Sequence, residues 1–457
     1  LFRSGIHLYP SLACLALCLN AAGKLSMAKR IARNFRFVSS PARKSAVLLY
    51  DDYNNALRLS KDCVVGPPAI TYEKEADFLK HFLSLSYQPD PGDRASQILA
   101  PIGFAASLAL CAAVAVLTRD TVGSVTAFTA AACVCVPFAG MLGVNTSVSR
   151  LCRLAGQCGG MVVGWPAVDR FSAANAVMTD AEDLFPRGTV VLNGIRTFGG
   201  QRIDDAILDA TALMCSVGGP LSDLFDQIIK NRREILPKLE KTVYEDGKGV
   251  SGWVSGKEIL VGNRELILAH GIEPPSRDYE AKYIRGGKRL VYLAADRELV
   301  AMFIVTYRSD RRRALELRRM ENNGISLIVR TRDPNITPEF LSECFGIDAH
   351  SARVLPEKLG AVYTALVSSP PDRPDSLIAV KGHRPAAMMR ILTGCVRQHG
   401  NITIAVALQT ASAAIGFALV AFLSCSSGLS LLSATALLIY ELFWTAATLL
   451  VPRLRRP

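Results

Sequence analysis

No two of the twelve cysteines form a CxxC pair, and several of them lie inside apolar runs, which argues against a disulfide framework. There is no internal repeat and no low-complexity tract, so a solenoid or a fibrous array is excluded. Acids are in deficit: 40 Asp and Glu against 52 Lys and Arg leave a formal charge of +12. The excess sits in KLSMAKRIARNFR, in the loop from 145 to 400 and in the terminal RLRR. These are positions beside apolar runs, where juxtamembrane arginines account for it and no nucleic-acid partner is expected. A cleavable signal pattern is also lacking, and the chain begins at Leu1, so a preceding portion is expected.

What is present is apolar length. Half of the 457 residues are hydrophobic, enough for two or three domains with part of the chain in lipid. ILAPIGFAASLALCAAVAVLT (98–118) and VGSVTAFTAAACVCVPFAGMLGV (122–144) carry no charge and form a hairpin over Arg119–Thr121. A second hairpin pairs 401–423 with 429–451 and holds one acid, Glu441, in its apolar interior, where an ionisable group is a functional candidate unless it lies near an interface. Residues 6–25 are a weaker candidate, a span or a partly buried helix.

Between the hairpins the texture changes. AANAVMTD (173–180), ISLIVRT (325–331) and SLIAVKG (376–382) have the continuous hydrophobicity of parallel strands covered on both faces, with helical patterns between them. That alternation predicts a doubly wound α/β domain with its chemistry at the carboxyl ends of the strands. The interval from about 190 to 300 reads instead as strand, glycine turn, strand, tight turn, strand and helix, an antiparallel lobe inserted into that domain. The expected division is a membrane or membrane-adjacent helix (1–35), a small cytoplasmic segment (36–96) and a transmembrane hairpin (97–144). Then come the first part of the α/β domain (145–189), the inserted lobe (190–300), the rest of the α/β domain (301–396) and the closing hairpin (397–457).

This order of parts resembles the P-type ATPases, most closely their heavy-metal-transporting branch, over roughly 97–451. CVCVP (133–137) falls where that family carries its cysteine-proline metal motif, 45 residues before Asp180. GGPLSDLFDQII resembles the helix that normally carries a His-Pro pair, with Pro220 present and Gly219 in the histidine's place. DGKGVSGWVSGKEILVGN places Gly247 and Gly249 on the nucleotide-domain glycines, and RTRD (330–333) falls on the TGD motif. The resemblance implies a HAD-like phosphorylation domain with an inserted α+β nucleotide-binding-like domain. It also implies ATP and Mg²⁺ as cofactors, and an integral protein of a bacterial plasma membrane whose large loop is cytoplasmic. Asp180 would be the phospho-acceptor, with Thr331, Asp333 and Lys358 around it, and Gly247, Gly249 and Pro220 would face the nucleotide. Cys133, Cys135 and Glu441 would meet a soft metal cation.

The departures concern catalysis. The family follows its aspartate with Lys-Thr-Gly-Thr, whereas Ala181, Glu182, Asp183 and Leu184 follow Asp180. Arg332 replaces the glycine of TGD, KGHRPAAMM after the last strand holds no acid where a magnesium motif belongs, and 36–96 is about half an actuator domain and lacks TGE. Phosphoryl transfer to a carboxylate depends on cancelling negative charge, and losing one such contact costs on the order of 10² to 10³ in rate. Glu182 and Asp183 could restore Mg²⁺ binding, with Lys358 or Lys381 supplying charge. Plainer readings are also open: Asp180 as a turn or helix cap, the glycines as hairpin permits, the cysteines as helix packing, Lys358 as a surface residue and His383 as a loop residue. The expectation is a degenerate pump, a pseudo-ATPase with a regulatory or scaffold role beside a partner subunit. The alternative is an active heavy-metal transporter phosphorylated at Asp180.

Overall fold

The structure is a computed structural model and describes residues 8–38, 44–50, 52–64, 66–75, 81–136, 139–200, 202–368, 377–382, 384–426, 428 and 431–454. Pro137 and His383 lie outside these residues. Among the described residues, four stretches are long and apolar enough to cross a membrane: Pro91–Thr118, Thr121–Gln157 (described as the helices Thr121–Cys135 and Gly140–Gln157), Pro385–Cys425 and Ala434–Pro452. The first hairpin turns where the sequence stops being apolar. Asp90 and Asp93 cap the start of Pro91–Thr118, Arg119 takes the left-handed conformation at its end, and Asp120 caps the next helix through the backbone N–H of Val122. The amino-terminal helix Leu8–Val38 continues well past its apolar part and packs on Gly140–Gln157.

Thirteen strands lie among the described residues: β1 (Lys44–Tyr50), β2 (Ile70–Glu75), β3 (Gly160–Val162), β4 (Ala176–Asp180), β5 (Val190–Thr197), β6 (Leu239–Glu245), β7 (Gly249–Val254), β8 (Lys257–Gly262), β9 (Lys288–Ala295), β10 (Glu298–Tyr307), β11 (Ser326–Arg330), β12 (Ala352–Leu355) and β13 (Ile378–Lys381). Strands β5 to β10 form the inserted lobe, an antiparallel sheet in the order β5-β10-β9-β8-β7-β6. The other seven form the α/β sheet, β12-β11-β4-β2-β1-β13-β3, in which β4, β11 and β12 are parallel neighbours and buried as their hydrophobic runs predict.

The segment 36–96, expected in actuator position, is built differently. Its β1 and β2 are strands of the α/β sheet, inserted between β4 and β13. Hydrophobic burial explains the placement. Ile70 and Tyr72 of β2 pack with Met178 of β4, Ile328 of β11 and Tyr363, so the otherwise open edge of β4 is covered. The consequence for chemistry is distance. Lys381 ends β13 three strand spacings from β4, roughly 14 Å at about 4.8 Å each.

Candidate functional site

The parallel pairing of β4 with β11 brings their last residues, Asp180 and Arg330, into direct register. The Nε of Arg330 lies 2.5 Å from Oδ1 of Asp180, and its Nη1 donates to the Thr364 hydroxyl at 2.5 Å. The guanidinium also sits over the Tyr363 ring, 5.3 Å from its centroid. Gly360 makes this possible: a Cβ there would stand 3.3 Å from Cγ of Arg330. Burial pushes the Asp180 carboxyl from its ordinary 3.8 up to about 6; Arg330 pulls the other way, and Glu182 and Asp183 add to the rise.

Asp183 does not face this point. Its Oδ2 accepts from the Thr179 hydroxyl at 2.5 Å and from the backbone N–H of Asp180 at 3.3 Å, so the carboxylate secures the turn from β4 into the short helix Ala181–Leu184. Asp333 is buried. It accepts from the Tyr307 hydroxyl at 2.7 Å and from the backbone N–H of Asn335 at 3.0 Å, and burial raises its carboxyl to about 7. Tyr307 is itself fixed by the rings of Phe185 and Phe340, at 5.4 and 5.0 Å. The Thr331 hydroxyl accepts from the Asp333 N–H at 3.0 Å.

A cavity of about 220 Å³ opens beside Arg330, the partner of Asp180, between the α/β domain and the inserted lobe. Glu182, Thr331, Arg330 and Arg332 line it from one side and Gly218 and Gly219 from the other. Arg332 spans the gap: it pairs with Glu357, Nε to Oε2 at 3.0 Å, and donates to the carbonyl of Val217 at 3.2 Å. A second clasp runs from the lobe, where Asp246 Oδ1 accepts from the backbone N–H of Glu357 at 2.6 Å. Pro220 opens the helix Pro220–Ile228 directly behind Gly219.

Mg²⁺ is usually held by one or two carboxylates with waters and substrate phosphates, and of Asp180, Glu182, Asp183 and Asp333 only Glu182 lines the cavity. Asp180 is paired with Arg330, and the carboxylates of Asp183 and Asp333 are bound to the protein's own donors. Among the described residues no three His, Cys, Asp or Glu side chains converge as a metal set. Successive residues of a helical turn point apart: Glu182 lines the cavity, whereas Asp183 is turned to Thr179. Lys358 is exposed and does not line the cavity. A volume of about 220 Å³ has room for a phosphate group and falls below the roughly 300–1,000 Å³ of ordinary small-molecule sites, so ATP would require the lobes to part.

The two glycines of the lobe differ in kind. Gly247 has φ 69° with open space around it, whereas a Cβ on Gly249 would meet the Val261 carbonyl oxygen at 2.4 Å. Gly249 is a packing requirement of the β7–β8 pair. In the membrane part, Cys135 is buried against Gly103 and Cys133 is half-buried. Residues two apart on one helix face different ways, so the two thiols do not chelate one ion in this arrangement. Glu441 is buried, and its Oε1 has no hydrogen-bond partner among the described residues.

The sequence pattern does not mark Arg330, Tyr307, Asp246 or Glu357 as parts of the site. One signal is present for Arg330: of the two strand-like runs, one ends in Asp180 and the other carries an opposite charge, Arg330, next to its last residue.

No protein-family model matches the chain. It is 28% identical over 233 residues to a copper-transporting P-type ATPase of Rhizobium leguminosarum bv. viciae, covering 50% of this chain and 27% of that protein. A silver exporting P-type ATPase of Salmonella typhimurium is 25% identical over 236 residues, 50% of this chain and 28% of the relative. A solved structure of a zinc-transporting PIB-type ATPase aligns at 16% identity with a TM-score of 0.42, over 97% of this chain and 87% of that one. The sequence similarities relate the chain to the heavy-metal P-type ATPases, and the aligned part spans little more than a quarter of the length of these curated relatives. With its candidate membrane spans, the chain is an integral membrane protein similar in sequence, over half of its length, to heavy-metal P-type ATPases.

Proposed function

We propose that this chain is a pump-like membrane protein that no longer forms an aspartyl phosphate and serves as a regulatory or scaffold subunit. Its large loop lies on the cytoplasmic side of a bacterial plasma membrane. The observation that carries the reading is the Arg330–Asp180 pair, at 2.5 Å. An in-line attack on ATP needs a free carboxylate oxygen with a cation to gather the phosphoryl charge. Here the cation is covalently part of the chain and lies 2.5 Å from Oδ1, one of the two carboxylate oxygens, where it competes with a phosphoryl group for that charge. The departures after Asp180 and the distance of Lys381 point the same way.

What could persist is recognition of a phosphate group at the cavity, where Arg330 and Arg332 supply charge and Thr331 and Thr364 hydroxyls line the wall. ATP turnover by the purified chain in nanodiscs tests the proposal. Hydrolysis should match that of Asp180→Asn. Turnover that vanishes in Asp180→Asn would favour the alternative, a transporter that moves a soft cation past Cys133 and Cys135.

A further inference from the structure

We propose that the amino-terminal helix and the helix Gly140–Gln157 together form a binding site for the phosphate group of an anionic membrane phospholipid. Positions 22, 25, 26, 29, 30 and 33 recur at the three- and four-residue steps that put side chains on one helix face. Along that face the chemistry changes from Ala22 and Leu25 through Ser26 to Lys29, Arg30 and Arg33. Ser149 and Arg153, one turn apart, complete the opposite wall of a cavity of about 320 Å³.

The lining holds four cations, two hydroxyls and no carboxylate. The Ser26 and Ser149 hydroxyls face each other at 3.3 Å. Arg30 is 5% exposed although it carries a charge; its Nη1 donates to Oδ1 of the buried Asn145 at 3.2 Å, and its Nε has no partner among the described residues. The Nε is closed off from solvent, so Arg30 contributes to the cavity as buried positive charge beside Lys29, Arg33 and Arg153, the charge that an anion would balance. Asp90, close enough to act on Arg30 electrostatically, is committed to capping the next helix through the Asp93 N–H at 2.9 Å. The shared chemistry is that of any phosphate. The lipid is favoured because Leu25 is 57% exposed at the apolar end of the same face, where an acyl chain would run beside the headgroup. The site lies apart from Asp180 and stands whether or not that residue is phosphorylated.

The test is native mass spectrometry of the full chain, delipidated and then reconstituted with phosphatidylcholine alone or doped with phosphatidylglycerol. Selective retention of phosphatidylglycerol is expected, weakened about fivefold for each charge removed in Lys29→Gln and Arg33→Gln, which are exposed and spare the fold. Arg30→Gln should weaken it further, and failure of that variant to fold would leave the two exposed variants to decide. Equal retention of both lipids, or no change in Lys29→Gln and Arg33→Gln, overturns the site. Inorganic phosphate binding that depends on Lys29 and Arg33, with no lipid retained, overturns the lipid as its source.

Discussion

Arg330 and Asp180 are register partners at the ends of adjacent parallel strands, and their side chains meet at 2.5 Å between Nε and Oδ1. The arginine is held from three sides, by Asp180, the Thr364 hydroxyl and the Tyr363 ring, so the carboxylate faces a fixed cation.

The pair should be measurable as a coupling. Both side chains are about one-third exposed, which screens the interaction. A double-mutant cycle of Asp180→Asn and Arg330→Gln on thermal unfolding should return about 1 kcal/mol. A coupling indistinguishable from zero would mean that the two groups are apart in solution.

The lobe contact rests on Arg332 and Asp246, both converging on Glu357. Arg332→Gly removes one clasp and one bond to the Val217 carbonyl. Backbone hydrogen exchange around 217–219 and at 357–360 should speed up, with the rest of the α/β sheet unchanged. Unaltered exchange at both segments would show that the clasp does not hold the lobes.

Gly249→Ala should cost about 2–4 kcal/mol, because the new methyl meets backbone at 2.4 Å. Gly247→Ala should cost about 1 kcal/mol, the strain of a left-handed alanine in open space. Chemical denaturation of the two variants checks the order, and equal losses would contradict the close β7–β8 approach.

Asp333 gives a pH dependence. Burial raises its carboxyl from 3.8 to about 7, so the folded state holds the proton more tightly than the unfolded chain. Its contribution to stability is complete below about 4 and is lost as pH rises through about 7; Asp180, raised to about 6, adds with the same sign. Tm should therefore drop between pH 5 and pH 8, and Asp333→Asn should narrow the drop.

Much of this was legible from the chain. Long apolar runs marked both hairpins, continuous hydrophobicity marked β4 and β11, and the glycine-punctuated stretch from 239 to 262 marked the turns of the inserted sheet. The placement of β2 was not legible, because ITYEKE carries three charges and its burial depends on Met178 and Ile328, more than a hundred residues away. Nor was the fate of Asp183: composition supplied an acid beside Asp180, but only the turn out of β4 decides that its carboxylate is bound by Thr179. The closure of Asp180 by Arg330 required the strand register, which no local pattern sets.

The most direct measurement is acid-quench labelling of the purified membrane protein with γ-labelled ATP and Mg²⁺, beside an active relative and Asp180→Asn. The account predicts no acid-stable label where the relative is labelled. A hydroxylamine-sensitive label that disappears in Asp180→Asn would contradict it.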